Sequence, residues 1–324
     1  MKLPIHGLKH PQTIDYAHHI SCIDTEQVRP GMACCYLLRS GDSYAFVECG
    51  TSLSVPGLLR VLERRGIGLE QVAYVMPTHV HLDHAGGAGL LMSRLPNARL
   101  VMHPRGARHM IDPSKLIEGA SAVYGADKVA AMYGEILPVP EQRVIVAEDG
   151  YKLDFSGRQL LFLDAPGHAR HHYAIWDVES RGIFSGDVFG LSYREADGPL
   201  GPYLLPTTTP VQFEPDAWYK TLDRFLELDH AYVYLTHYGR VGNVRKLSHE
   251  LRRGIANYER LARHHADAPD RHAAIKDAIT AHALQELRTL SAPLSEQQAR
   301  DLLQFDMELN TQGLEVWLDK QKAA

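Results

Sequence analysis

The sequence predicts an α/β fold, and three observations carry the prediction. Short apolar runs end repeatedly in a residue able to bind a metal: residues 72–76 before the loop Thr78-His79-Val80-His81-Leu82-Asp83-His84, residues 160–163 before His168, residues 183–185 before Asp187, and residues 231–235 before His237. Helical patterns alternate with these strand-like runs, and open α/β folds place their sites at the carboxyl ends of strands. From Asn243 onward the pattern turns helical, with Val244, Leu247, Leu251, Ile255, Tyr258 and Leu261 stepping by three and four residues.

The elements follow in order. Short strands dominate as far as Gly50, with alternating character at 32–38 and 43–47. A helix is predicted over 56–65, presenting Leu58, Leu59 and Leu62 on one side. The strand 72–76 leads into the histidine loop, and a helix over 85–95 follows. Gly86 and Gly87 let the first turn of that helix approach another backbone closely. Residues 104–137 hold two or three short helices, marked by Pro113-Ser114 and Gly125-Ala126-Asp127. This insertion, about 104–140, reads either as a wall or cap for the site or as a peripheral helical layer. Strands return over 143–185. Residues 196–212 form a loop rich in Gly, Pro and Thr, and loops of that length are often functional. Further apolar stripes mark Ile275, Ile279 and Leu287, then Leu302 and Phe305. Such helices need a surface to cover their stripe, either the core or another subunit, which leaves a homodimer open.

The chemistry concentrates in the loop at 79–84. Three imidazoles and a carboxylate within six residues are costly to gather unless a cation holds them, and imidazole nitrogen and carboxylate oxygen are ordinary zinc ligands. The loop supplies only part of a two-metal site, and His168, Asp187 and His237 are the further candidates. Each is weak alone; together they repeat one design.

The motif order resembles that of the metallo-β-lactamase-fold hydrolases, the superfamily of glyoxalase II, N-acyl-homoserine lactonases and zinc phosphodiesterases. The resemblance spans about residues 14–240, with the loop Thr-His-x-His-x-Asp-His-x-Gly-Gly nearest to glyoxalase II. Within it, His103-Pro104-Arg105-Gly106 and the helical run to Pro140 are similar to an uncharacterised archaeal and bacterial hydrolase subgroup. The resemblance implies a four-layer αβ/βα sandwich with a helical insertion and a helical C-terminal extension. It implies a catalytic domain over 1–242 and an extension over 243–324. It also implies two divalent metal ions, zinc first, with iron or manganese as alternatives. His79, His81 and His168 would hold the first metal, Asp83, His84 and His237 the second, and Asp187 would bridge them.

On that implied set, a metal-bridging hydroxide would cleave a thioester, ester or lactone, with Asp83 as proton acceptor. A phosphodiesterase, or a binding or regulatory protein that keeps the metals, is the alternative. One position departs from the family pattern, where the strand 44–47 usually ends in Asp-Thr-Gly. Here Glu48-Cys49-Gly50 stands instead, so Glu48 either braces the histidine loop or is a solvated strand-end glutamate. His172 either supports the metal ligands or packs in the next strand. Tyr193, Tyr203 and Tyr238 are candidates for wall or leaving-group contacts. His103 and Arg105 either face substrate or solvate a helix start. His18, His19, His264, His265 and His272 read as surface or packing residues.

Composition narrows the partners. With 45% hydrophobic and 23% charged residues the chain has ample material for a core. A formal net charge of -5 argues against general nucleic-acid binding, so a small-molecule substrate is expected. No apolar run is long enough for a membrane span, and the start Met1-Lys2-Leu3-Pro4-Ile5-His6 lacks the apolar core of a secretory signal. Cys22, Cys34, Cys35 and Cys49 read as buried free thiols in a reducing cytoplasm.

Overall fold

The computed structural model describes residues 11–323. Two compact units emerge. The first takes in the described chain up to Asp164 together with His171–Gly186, and the second takes in Ala165–Arg170 and the chain from Asp187 onward.

In the first unit a seven-stranded sheet runs in the order β1 (Thr13–Tyr16), β2 (Ile20–Asp24), β3 (Cys34–Ser40), β4 (Ser43–Val47), β5 (Val72–Met76), β6 (Arg99–Met102), β7 (Val144–Val146). Pairing is antiparallel from β1 to β4 and parallel from β4 to β7. The parallel crossovers carry α1 (Val55–Arg64), then α2 (Leu82–Ala85) with α3 (Ala88–Arg94), then the insertion α4 (Pro104–Ile111), α5 (Ser114–Tyr124) and α6 (Ala126–Tyr133). A second, antiparallel set follows: β8 (Lys152–Phe155), β9 (Arg158–Asp164), β10 (Tyr173–Asp177) and β11 (Gly182–Gly186).

The first sheet is covered on both faces, which explains a departure from the expected alternation. In β3 the first five residues are all buried. Cys35 and Leu37 join Phe46, Val75 and Leu100 in a core closed by Leu58, Val61 and Leu62 of α1 and Leu91 and Met92 of α3. Tyr36, on the opposite face, packs edge-on against Phe184 of β11 at 5.1 Å. Tyr173 on β10 donates to the Val101 carbonyl of β6 at 2.8 Å, closing the same inter-sheet layer. In α1 the buried stripe is Val55, Leu58, Val61 and Leu62, with Leu59 only partly covered.

The expected helix over 85–95 is two helices. α2 ends at Ala85, and α3 starts at Ala88 after the glycine pair. Gly87 lies so close to another strand end that a Cβ there would stand 2.7 Å from the Thr51 carbonyl oxygen and 2.9 Å from that of Cys49. The predicted close approach is therefore real, and it breaks the helix.

The second unit holds α7 (Pro215–Leu226), the hairpin β12 (Tyr232–Leu235) and β13 (Gly239–Val241), and three long helices, α8 (Val244–His264), α9 (Arg271–Thr289) and α10 (Glu296–Ala323). The stripe of α8 is buried as predicted except that Ala262 replaces Leu261. In α10 the prediction fails by register. Leu302 is partly exposed and Phe305 is 39% exposed, while Leu303, Met307, Leu314 and Trp317 are buried. The buried face also carries Asn310 and Thr311, so an apolar-only reading loses its phase there. Asn310 accepts from the Thr208 amide at 2.7 Å and donates to the Pro206 carbonyl at 2.9 Å, tying α10 to the long loop. Among the described residues no helix is long and apolar enough to cross a membrane.

Candidate metal centre

In the first unit the ligand loop leaves β5 at Met76, and His81 stands at the N-terminal boundary of α2. The loop is held from beneath by Glu48. This residue ends β4 in the left-handed region at φ 64, uncommon for a side chain of its size, and is 1% exposed. Its carboxylate accepts from the Thr78 amide at 3.0 Å and the Thr78 hydroxyl at 2.6 Å, and pairs with His84 Nδ1 at 3.1 Å. The solvated reading of Glu48 therefore fails, and the bracing reading holds despite the extra methylene. Thr78 Oγ1 also lies 3.1 Å from His79 Nδ1. Glu48 and Thr78 thus engage Nδ1 of both His79 and His84 and fix the orientation of the two rings. His79 Nε2 and His81 Nδ1 lie 2.8 Å apart, and His84 Nε2 stands 3.7 Å from Asp83 Oδ2.

His172 is fully buried and stacks on the candidate ligand His79 with ring centroids 4.7 Å apart. Gly186 makes room for it: at φ +50, a Cβ there would lie 2.3 Å from Thr78 Oγ1 and 2.5 Å from His172 Nε2. His171, not singled out from the sequence, stands 5.4 Å from His81 and 6.1 Å from His79 by ring centroids. Its signal was the doubled histidine three residues after His168.

In the second unit His168, Asp187 and His237 come together, all buried. His168 Nδ1 donates to the Thr207 carbonyl at 2.9 Å, so its Nε2 keeps a lone pair. That Nε2 lies 3.6 Å from Asp187 Oδ2, while His237 Nε2 lies 3.7 Å from Asp187 Oδ1. Both distances are too long for hydrogen bonds. They are close to the roughly 3.4 Å that separates two ligands sharing one tetrahedral zinc. The two oxygens of Asp187 thus each face a different imidazole. Thr207 Oγ1 donates to the Asp187 carbonyl at 2.8 Å, so the long loop fixes both residues. Buried imidazoles set beside carboxylates suit divalent cations, and the residues of each unit fit the implied group.

The remaining candidates divide. The Tyr193 hydroxyl donates to Asp306 on α10 at 3.1 Å, and Tyr203 is buried, with its phenol pushed well up by desolvation. Tyr238 is buried directly after His237. His103 takes the helix-start role: it caps α4 by accepting from the Arg105 amide at 3.0 Å and pairs with Asp164 at 2.9 Å. Cys49 is buried and burial pushes its thiol up, so it is inert despite its place beside the loop. All four cysteines are free and buried. His272 is not a bystander, since it bridges Glu315 and Glu308 between α9 and α10.

Comparison with known proteins follows this geometry. The family model described as the metallo-beta-lactamase superfamily matches residues 28–237. A metallo-beta-lactamase fold-containing protein of Sulfurisphaera tokodaii is 26% identical over 203 residues, covering 60% of this chain and 72% of the relative. A hydroxyacylglutathione hydrolase of a Synechococcus strain is 30% identical over 153 residues, covering 47% of each protein. An acyl-coenzyme A thioesterase of Bos taurus is 26% identical over 170 residues, covering 47% of this chain and 57% of the thioesterase. The chain thus spans about half the length of these two enzymes. Among solved structures, an archaeal superfamily protein from Sulfolobus tokodaii superposes with a TM-score of 0.64 at 20% identity, covering 92% of this chain and 99% of that one. A family protein from Thermus thermophilus gives 0.62 at 20% identity, covering 97% and 93%. The sheets, the histidine loop and the matched span lead to one conclusion: the chain belongs to the metallo-beta-lactamase superfamily.

Proposed function

We propose that the protein is a dinuclear metal-dependent hydrolase that cleaves a thioester, ester or lactone bond in a small molecule. The observation that carries the reading is Asp187, whose two carboxylate oxygens each face a separate buried imidazole at 3.6 and 3.7 Å. Each unit supplies candidate ligands that support it: His79, His81, Asp83 and His84 on one loop of the first, and His168, Asp187 and His237 in the second. In this reading His79, His81 and His168 would hold one ion, Asp83, His84 and His237 the other, and Asp187 would serve both. Zinc suits the donor set, with iron or manganese as alternatives. The catalytic part runs to about residue 242 and the helices of 243–324 form an extension. Four buried free thiols favour a reducing, cytoplasmic setting.

Bound divalent ions supply Lewis-acid polarisation of the substrate carbonyl and acidify water. The chain does the rest. Glu48 and Thr78 hold the ligand imidazoles in one tautomer, so no reorganisation is needed during attack. Asp83, a half-buried carboxylate of the ligand loop, would take the proton of the attacking water. For a thioester, a C–O bond forms, the C–S bond breaks, and the proton passes to the departing thiolate. The hydroxyacylglutathione hydrolase and acyl-coenzyme A thioesterase relatives favour carbonyl over phosphoryl chemistry.

The test is hydrolysis by metal-replete protein of a thioester, a lactone and an activated phosphodiester, with Asp187→Ala as control. Turnover of a carbonyl substrate that falls at least 100-fold in the variant is expected. Turnover of the phosphodiester alone would replace this reading, and no turnover of any would reject it in favour of a binding role.

A further inference from the structure

In the second unit the buried face of α10 carries Leu303, Met307, Leu314 and Trp317, but Asp306 and Asn310 are buried among them at 8% and 2% exposure. Four residues apart, the two lie on one side of the helix. By burial alone an aliphatic side chain would serve better at either position, since a polar group taken out of water costs free energy unless its partners are well placed. What these two side chains touch supplies the reason for them. Asn310 Oδ1 accepts from the Thr208 amide at 2.7 Å, its Nδ2 donates to the Pro206 carbonyl at 2.9 Å, and its own carbonyl accepts from the Thr208 hydroxyl at 2.9 Å. Thr207, gripped between those residues, holds two candidate ligands: its carbonyl accepts from His168 and its hydroxyl donates to the Asp187 carbonyl. One turn earlier, Asp306 accepts from the Tyr193 hydroxyl at 3.1 Å. The neighbouring Ser192 amide donates to the carbonyl of His237. Two polar side chains on one turn of α10 thus hold the backbone to which all three candidate ligands of this unit are tied.

We propose that Asp306 and Asn310 are positioning residues of the metal centre, so that α10 sets how tightly metal is held and not only how stable the fold is. This rests on the metal-site reading above and deepens it by making the helical extension a working part of the site. Ligands must meet an ion to within about 0.5 Å, and side chains held that closely need a rigid support. The backbone at 192 and 206–208 lies outside the strands, with an isolated bridge between Leu191 and Leu205, so its register is taken from the helix on which it packs.

The experiment measures zinc affinity of the full chain by competition with a chromophoric chelator, beside urea unfolding of the chelated protein. Asn310→Leu and Asp306→Leu remove the polar contacts and keep a buried side chain of similar size. Asp306→Asn keeps an acceptor for Tyr193, Tyr193→Phe removes that hydroxyl alone, and Leu303→Ala loosens the same helix without touching a polar contact. Zinc affinity should fall about 10–100-fold in both leucine variants and about tenfold in Tyr193→Phe, and stay within about threefold of native in Asp306→Asn. Leu303→Ala should lower the urea midpoint at near-native zinc affinity. Should a leucine variant fail to fold by circular dichroism, the contrast between Tyr193→Phe and Asp306→Asn decides. Native affinity in Tyr193→Phe and in the folded leucine variants, or an equal loss in Leu303→Ala, overturns the positioning role; zinc binding that is still lost in Asp187→Ala then leaves the metal-site reading standing. A native chain that binds no zinc, or whose binding ignores Asp187→Ala, rejects the metal-site reading and the positioning role with it.

Discussion

Glu48 shows how one side chain can organise a candidate centre that it does not join. Three polar contacts converge on its buried carboxylate, from Thr78 twice and from His84 once, and its left-handed backbone turns the carboxylate under the loop. Replacing Glu48 by Gln keeps the length but removes the charge and turns one acceptor into a donor. Metal affinity of Glu48→Gln should drop about 10–100-fold in competition with a chromophoric chelator, with near-native circular dichroism. Unchanged affinity would contradict the bracing role. The candidate ligands stand out in the sequence because they are crowded, as at 79–84, or follow strand ends, as at 168, 187 and 237. The supports were less legible. Whether Glu48 braces or is solvated depends on a backbone conformation that no local pattern reveals, and Thr207 acts through its carbonyl, to which its side chain gives no clue.

At the scale of elements, α10 and the loop it grips are the parts that sequence periodicity described worst. The stripe expected at Leu302 and Phe305 is displaced because Asn310 and Thr311 occupy the buried face, where loop backbone satisfies Asn310. Gly313 marks the tightest point, since a Cβ there would fall 1.4 Å from the Thr208 carbonyl oxygen. Gly313→Ala should cost about 1–3 kcal/mol or more in urea unfolding, with α10 or the loop displaced. It should also weaken metal binding, because Thr207 in the same loop holds His168 and Asp187. The seam of α9 and α10 carries a pH signature. The Lys276 ammonium, 2.6 Å away, holds the Glu308 carboxyl down at about 2, against an ordinary 4.5. A depressed carboxyl contributes stability above its unfolded value and loses it as pH falls through the folded one. Thermal scans should therefore show a steeper loss of Tm between pH 4.5 and 2 in the native chain than in Glu308→Gln. The carboxylate is 36% exposed, so salt should shrink the difference. His272 works in the opposite direction: Glu315 raises its pKa, so its contribution is complete below 6.5 and fades as pH climbs through the raised value.

For the molecule as a whole, the α/β class and the superfamily were legible because strand-end ligands and a spaced histidine loop are local signals repeated along the chain. The two-sided burial of β3 and the broken helix at Gly86-Gly87 were not, since both depend on which layers come to cover a strand or loop. If the proposed ligands, as far apart in sequence as His79 and His237, bind metal, that binding is a folding term as well as a catalytic one. Chelation should lower Tm, with recovery on adding zinc; at a free metal concentration of 100 times Kd the stabilisation is about 2.7 kcal/mol. The most direct test of the central claim is to reconstitute the chelated protein with zinc while following bound metal and thioester hydrolysis together. The account predicts saturation near two ions per chain, with turnover rising as the second binds and both lost in Asp187→Ala. Turnover that survives full chelation, or a metal-loaded chain that hydrolyses no carbonyl substrate, would contradict it.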